Sequence, residues 1–301
     1  MSNHTIMLAK DYDFRRVIFP VCISEKLDGV PAKFFKDANG KVVAMTRQGE
    51  LLTSVEHICK ELSDFKLLDE NNAIVGELWV RGRPFKETSG KVRAEEVCTD
   101  LKLYIYDEFF CDKAGLPNDS RTFYGRWAHI DAKFLRNPFG IPPHVELVRQ
   151  FLCENIDELN HMRSRIMAGP SVGPKYKPEG VVVRMLSGEG SYYSLAGRSW
   201  GMMRIVEKPT LDLMVVEVIE AKDKNGNPKG MVGSLMCKYH DIDIKVGAGK
   251  ATHAERTKWW KKPELILGKI VQVQYKPDDS YNKLRQPTFQ RIRDDKDTPD
   301  A

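Results

Sequence analysis

Ser24-Glu25-Lys26-Leu27-Asp28-Gly29-Val30 follows the apolar run Val17-Ile18-Phe19-Pro20-Val21-Cys22-Ile23. The run is rich in β-branched residues, which favour strands, and an Asp-Gly pair turns a chain. Together they predict Lys26 at the end of a buried strand, beside a turn. A lysine held against apolar walls can give up its proton and act as a nucleophile.

Downstream, Val30 to Phe35 reads as a strand, Asp37-Ala38-Asn39-Gly40 as a turn, and Lys41 to Arg47 as the returning strand of a hairpin beside Lys26. Arg47-Gln48-Gly49 ends that hairpin. Residues 54–68 carry apolar positions at three- and four-residue spacing and predict a surface helix. In Ala73-Ile74-Val75-Gly76-Glu77-Leu78-Trp79-Val80, Glu77 stands in an otherwise apolar strand. A carboxylate there is costly unless it is paired or meets a ligand or cation.

Leu101 to Asp107 alternates as a half-buried strand, and Tyr106 near its end offers a flat π face to a base. Residues 120–135 and 144–167 are expected to be helices, the second running from His144 through Leu147 and Phe151 to Ile166. In Lys175-Tyr176-Lys177-Pro178-Glu179-Gly180-Val181-Val182-Val183-Arg184, a carboxylate precedes a β-branched run at a glycine. Glu179 is thereby placed to hold a divalent cation, and Gly180 lets the backbone approach a ligand.

Among 301 residues, 47 Lys plus Arg against 42 Asp plus Glu give a net charge of +5, too near balance to name a partner by itself. No uncharged apolar run reaches the ~20 residues that span a bilayer, and Met1-Ser2-Asn3-His4 lacks the marks of a signal peptide. The expectation is a cytoplasmic protein without membrane contact. Six cysteines lie far apart with no Cys-x-x-Cys pair, so a structural zinc is not expected.

From Thr210 onward the texture changes to five short strands, with a Gly-rich loop and short helix at 247–262 after the third. That is the pattern of an OB-fold, a barrel widely used to grip nucleic acid. Lys245, Lys250, Lys258, Lys261 and Lys262 with Trp259 and Trp260 are expected to form its basic, aromatic face. The chain ends in Pro287-Thr288-Phe289-Gln290-Arg291-Ile292-Arg293-Asp294-Asp295-Lys296.

Lys26-Leu27-Asp28-Gly29, Arg47-Gln48-Gly49, Gly76-Glu77-Leu78, Tyr106-Asp107, Glu179-Gly180-Val181-Val182-Val183-Arg184 and Arg293-Asp294-Asp295-Lys296 resemble, in order, the motifs of the covalent nucleotidyltransferases. The resemblance covers nearly the whole chain and is nearest the small two-domain ATP-dependent DNA ligases of phages and other viruses. Two places depart from the family pattern. Pro31 stands where the first motif carries an arginine, a charge that Lys33 on the same face is in position to replace. The Lys-x-Lys motif is imperfect, with Arg204 and Val206 at its lysines and Lys208-Pro209 two residues late; Lys208 is the first choice for its role and Arg204 the second.

The resemblance implies an α+β chain: an adenylation domain of antiparallel sheets with flanking helices over residues 1–207, then an OB-fold barrel over 208–301. It implies ATP and Mg2+ as cofactors, nicked double-stranded DNA as partner, a monomer, and roles in DNA replication, repair and recombination, in the host cytoplasm if the source is viral. Lys26, Asp28 and Lys208 would be catalytic. Glu25, Arg47, Glu77, Tyr106, Glu179, Arg204, Lys208, Arg293 and Lys296 would bind the nucleotide with Lys26, and Glu77 and Glu179 would hold the metal. NAD-dependent ligases carry further modules for which this length leaves no room. An RNA ligase, a capping-type enzyme, or an inactive nucleic-acid-binding protein are the alternatives. The basic stretch 82–96 is expected to be a loop touching DNA.

Overall fold

Val21–Lys26 forms a strand (β2) ending at Lys26, and the chain leaves it through Asp28 and Gly29. The next strand, β3 (Val30–Lys36), does not pair with β2 but enters a second sheet. Gly29 makes this crossing possible: a Cβ there would lie 2.4 Å from the Leu78 carbonyl oxygen and 2.7 Å from Glu77 Cγ. The Lys-x-Asp-Gly stretch is thus the bridge between two sheets.

The computed structural model describes residues 6–112, 115–169, 178–195, 197–276 and 284–300. These fall into two compact units, Met1–Val206 and Glu207–Ala301. In the first unit, one sheet has the order β1-β10-β9-β2-β8, formed by β1 (Leu8–Asp11), β8 (Phe151–Cys153), β9 (Gly180–Met185) and β10 (Arg198–Val206) around β2. The other has the order β4-β3-β5-β6-β7, with β4 (Val42–Thr46), β5 (Asn72–Trp79), β6 (Lys102–Phe110) and β7 (Val145–Leu147).

Strand alternation sends successive side chains to opposite faces. Phe35, Val75 and Phe109 go inward to meet Met202 of the first sheet, while Phe34, Ile74 and Ile105 go outward. There α1 (Glu56–Asp64) and α3 (Phe123–Leu135) cover them with Ile58, Leu62, Ile130 and Phe134. On the back of the first sheet, α4 (Ile156–Met167) buries Leu159 against Val21, Ile23, Val181 and Val183. Each such burial contributes roughly 1.5–3 kcal/mol.

Two expectations fail in this unit. Residues 144–155 are not helical: Val145–Leu147 pairs in parallel with Leu103–Ile105, and Phe151–Cys153 pairs with Val21–Ile23. Available sheet edges override the helix-like spacing of Leu147 and Phe151, and the helix starts only where Asn155 caps it, accepting from the Asp157 and Glu158 N–H groups at 3.1 and 3.0 Å. Nor is 82–96 only a loop. It holds α2 (Phe85–Val92), whose Thr88, Ser89 and Val92 are buried.

The second unit is a closed barrel of order β11-β12-β13-β15-β14, from β11 (Thr210–Lys222), β12 (Pro228–Tyr239), β13 (Ile242–Gly247), β14 (Ile270–Lys276) and β15 (Arg285–Ile292). Helix α5 (His253–Lys261) follows the third strand and opens with a capping box: Glu255 N–H donates to Thr252 Oγ1 at 3.2 Å, and Thr252 N–H to Glu255 Oε2 at 2.7 Å. Trp259 belongs to the barrel core, 4% exposed and edge-on to Phe289 at 5.5 Å, and offers no aromatic surface. Its helix docks through that ring, which overrides the basic residues around it. Among the described residues no helix is long and apolar enough to cross a membrane, and the six cysteines are free.

Candidate active site

Register fixes which side chains share the face of Lys26. Lys26 lies opposite Gly180, and Gly180 opposite Val206; the next row is Ser24, Val182 and Arg204, and the third Cys22, Arg184 and Met202. All of them look toward the second sheet. Glu25 pairs with Val181 and so faces the other way, into a cavity of about 390 Å³ shared with Leu27, Met162 and Ile166. Ser24, buried at 3%, holds the position on the Lys26 face that the sequence reading gave to Glu25. Counting by twos from Lys26 would have found it.

Lys26 Nζ donates to the Glu179 carboxylate and, at 3.5 Å, to the Leu27 carbonyl oxygen. Gly180 puts Glu179 there: a Cβ at 180 would fall 2.1 Å from the Ile205 carbonyl oxygen, so only glycine lets β9 run this close to β10. Across the cleft, Glu77 is the register partner of Pro31 on one side and Tyr104 on the other. Burial pushes its carboxyl up to about 8, helped by the nearby charges of Glu179 and Asp28; the Lys26 ammonium and the Gly29 N–H pull the other way. Lys26, Asp28, Glu77 and Glu179 therefore share one electrostatic neighbourhood.

One ammonium among three carboxylates leaves negative charge that a hard cation relieves. Oxygen donors of this kind suit Mg2+, which keeps several waters and uses substrate phosphates as further ligands. Among the described residues no group of three or more acidic, His or Cys side chains is arranged to hold a metal alone. Glu77 and Glu179 fit as a pair that completes its shell with ligand oxygens.

Tyr106 occupies a β-bulge. Gly76 pairs with Ile105 and Val75 with Asp107, so β6 carries one extra residue against β5. Bulges re-aim side chains, and here Ile105 still points outward whereas Tyr106 is half-buried at the inner core. Arg47 follows Thr46, whose partners across the sheet are Ala32 and then Gly76, so it lies at the Glu77 end. Lys33 does not replace the arginine absent at Pro31. It is 2% exposed and spends its ammonium on the Gly115 carbonyl at 2.8 Å, beside the Phe35 ring.

Arg204 is on the Lys26 face but its Nε donates to Asp11 at 2.7 Å. Lys208 belongs to the second unit, as do Arg293 and Lys296, which both reach Asp212 at 2.6 and 3.1 Å. Arg293 also grips Asp295 through Nε and Nη2 at 2.9 Å, holding that carboxyl down at about 2. Residues 175–177, the lead-in to Glu179, lie outside the described residues.

Residues 225–293 match the family described as DNA ligase OB-like domain. Over 292 residues the chain is 26% identical to a DNA ligase of Haemophilus influenzae, covering 96% of this chain and 92% of that protein. It is 23% identical to a DNA ligase of African swine fever virus over 84% of this chain, and spans 58% of that protein's length. A solved structure from a structure-function study of Lig E DNA ligases superimposes with a TM-score of 0.70 at 19% identity, covering 96% and 98% of the two chains. Two sheets meeting at a lysine between glutamates, a closed barrel after them, and these likenesses along the chain agree on one assignment: the protein belongs to the DNA ligase family of covalent nucleotidyltransferases.

Proposed function

We propose that this chain is an ATP-dependent DNA ligase that seals nicks bearing a 5′-phosphate and a 3′-hydroxyl, through a lysyl-AMP intermediate and a 5′-adenylated DNA. The observation that carries it is the Lys26 ammonium on Glu179, with Glu77 facing them from the other sheet. A neutral Lys26 Nζ attacks the α-phosphorus, forming a P–N bond as the bond to pyrophosphate breaks, and its proton leaves toward Glu179. The 5′-phosphate oxygen of the nick then displaces Lys26 from AMP. The 3′-hydroxyl finally attacks that 5′-phosphorus and expels AMP.

Phosphoryl transfer is catalysed mainly by positioning and charge. Tyr106 stacks on the base, and Arg47 meets the ribose and phosphate side. Lys208, with Arg204 second, carries charge to the phosphates, and Arg293 and Lys296 act on the leaving pyrophosphate. Mg2+, when bound by Glu77 and Glu179, neutralises phosphate charge. Asp28 serves the 3′-hydroxyl step. We assign residues 1–207 to adenylation and 208–301 to an OB domain, working as a monomer on nicked duplex DNA, in the cytoplasm or the host's.

Incubation with Mg2+ and ATP labelled at the α-phosphate tests this. Label on Lys26 by peptide mapping, discharged by nicked duplex, is the expected result. Label only from GTP would mean capping chemistry, and DNA binding without label from any nucleotide would mean a binding protein.

A further inference from the structure

Asp107 lies on β6 and Arg184 on β9, one on each sheet, and both are buried. They are directly joined: Arg184 Nη2 donates to Asp107 Oδ2. Regular alternation would turn Asp107 away from the first sheet if Tyr106 faced it. The bulge permits both, and the next residue, Glu108, resumes the outward direction to meet Arg121 at 2.8 Å and His129 at 2.6 Å.

Asp107 is also gripped from the α3 side. Arg126, fully buried, donates from Nε to Oδ1 at 2.8 Å and from Nη2 to Oδ2 at 3.1 Å, while its Nη1 is tied to the Arg121 and Ser191 carbonyls. The carboxylate is thereby fixed before Arg184 reaches it. Arg184 in turn makes its bond at a cost, since its Nε is buried with no acceptor among the described residues. A guanidinium seated for its own hydrogen bonding would not leave that donor empty. The arrangement satisfies the bridge between sheets first.

What the bridge holds apart is the cleft beside it. Tyr106 precedes Asp107 on one sheet; Val182, two residues before Arg184 on the other, shares the Lys26 face. Both are half-buried against the same inner core. We infer that the Asp107–Arg184 bridge, braced by Arg126, is a positioning element that sets the gap between Tyr106 and Val182 and so limits the size of the base the cleft admits. This inference rests on the nucleotidyltransferase reading of the cleft, and it gives Asp107 and Arg184 no contact with the reacting atoms.

Equilibrium binding of ATP and of the bulkier 1,N6-etheno-ATP, read by protein and etheno fluorescence, tests it without requiring turnover. Asp107→Asn and Arg184→Lys are compared with Glu108→Gln, which breaks an equally buried ion-pair network on the opposite face. The expected result is that the bridge variants weaken ATP binding and cut the preference for ATP over the etheno nucleotide by about tenfold or more, while the Glu108 variant keeps the wild-type preference. Self-adenylation should follow in KM with kcat within a few-fold. Should Asp107→Asn fail to fold, Arg184→Lys decides. An unchanged preference in a folded bridge variant, or an equal change in Glu108→Gln, overturns the inference. Absence of label on Lys26 of the wild type would instead count against the ligase reading, since the binding preference is measured independently of it.

Discussion

Lys26 donates to Glu179 because Lys26 and Gly180 are register partners, which leaves the residue before Gly180 at the nucleophile's side. The pair is partly shielded, with Lys26 and Glu179 side chains 22% and 8% exposed. Lys26→Ala should abolish covalent AMP while leaving the melting temperature within a few degrees. Glu179→Gln keeps the shape but cannot take a proton, so the adenylation rate should fall about 10²–10⁴-fold, the range for a lost general base. Single-turnover labelling reads both.

Glu77 supplies a pH signature. Its carboxyl is raised to about 8 in the fold against an ordinary value of 4.5, chiefly by burial. Between those values the folded state holds a proton that the unfolded chain has released, so stability should decline as pH rises from about 5 to 8 and level off above. Denaturant titrations across that window should show the slope in wild type and lose it in Glu77→Gln. A cation bound there favours the ionised form, so added Mg2+ should flatten the slope as well.

The two glycines nearest the nucleophile should behave as steric keys. An added Cβ meets backbone oxygen at 2.4 Å from Gly29 and 2.1 Å from Gly180. Neither carbonyl can give way without moving a strand. Gly29→Ala and Gly180→Ala should each cost about 1–3 kcal/mol, the range for overpacking, and lower adenylation with it. Glycine 90, whose added Cβ meets nothing within 4 Å, is the control that should tolerate alanine.

The basic stretch around α2 tests the DNA surface. Arg83 lies 3.9 Å from Glu87 and Lys91 2.6 Å from Asp100, so two of its four cations already have acidic neighbours. Replacing Arg83, Lys86, Lys91 and Arg93 with glutamine should weaken nicked-duplex binding and reduce the slope of log K against log salt by about 2, each phosphate contact being worth ~0.9. An unchanged slope would remove this face from the DNA interface.

Residue type made much of the site legible: a glutamate in an apolar strand and a glutamate at the mouth of another are hard to explain without chemistry, and the structure brings Glu77 and Glu179 to Lys26. What the sequence concealed depends on partners far along the chain. Glu25 and Ser24 are distinguishable only once the strand's inner face is known. Residues 144–155 became strands because β6 and β2 had free edges, and Lys33 was captured by a carbonyl more than 80 residues away. The barrel's order was readable from strand spacing, yet Trp259 looked like surface among lysines until the core claimed it.

The passage of the chain between sheets at Gly29 separates two kinds of permanence. Lys26 is needed only while the protein transfers nucleotides, whereas Gly29 is needed for the two sheets to meet at all. A descendant that had given up catalysis would be free to lose the lysine and obliged to keep the glycine, so an altered Lys26 beside an intact Gly29 would mark a retired enzyme whose architecture survives.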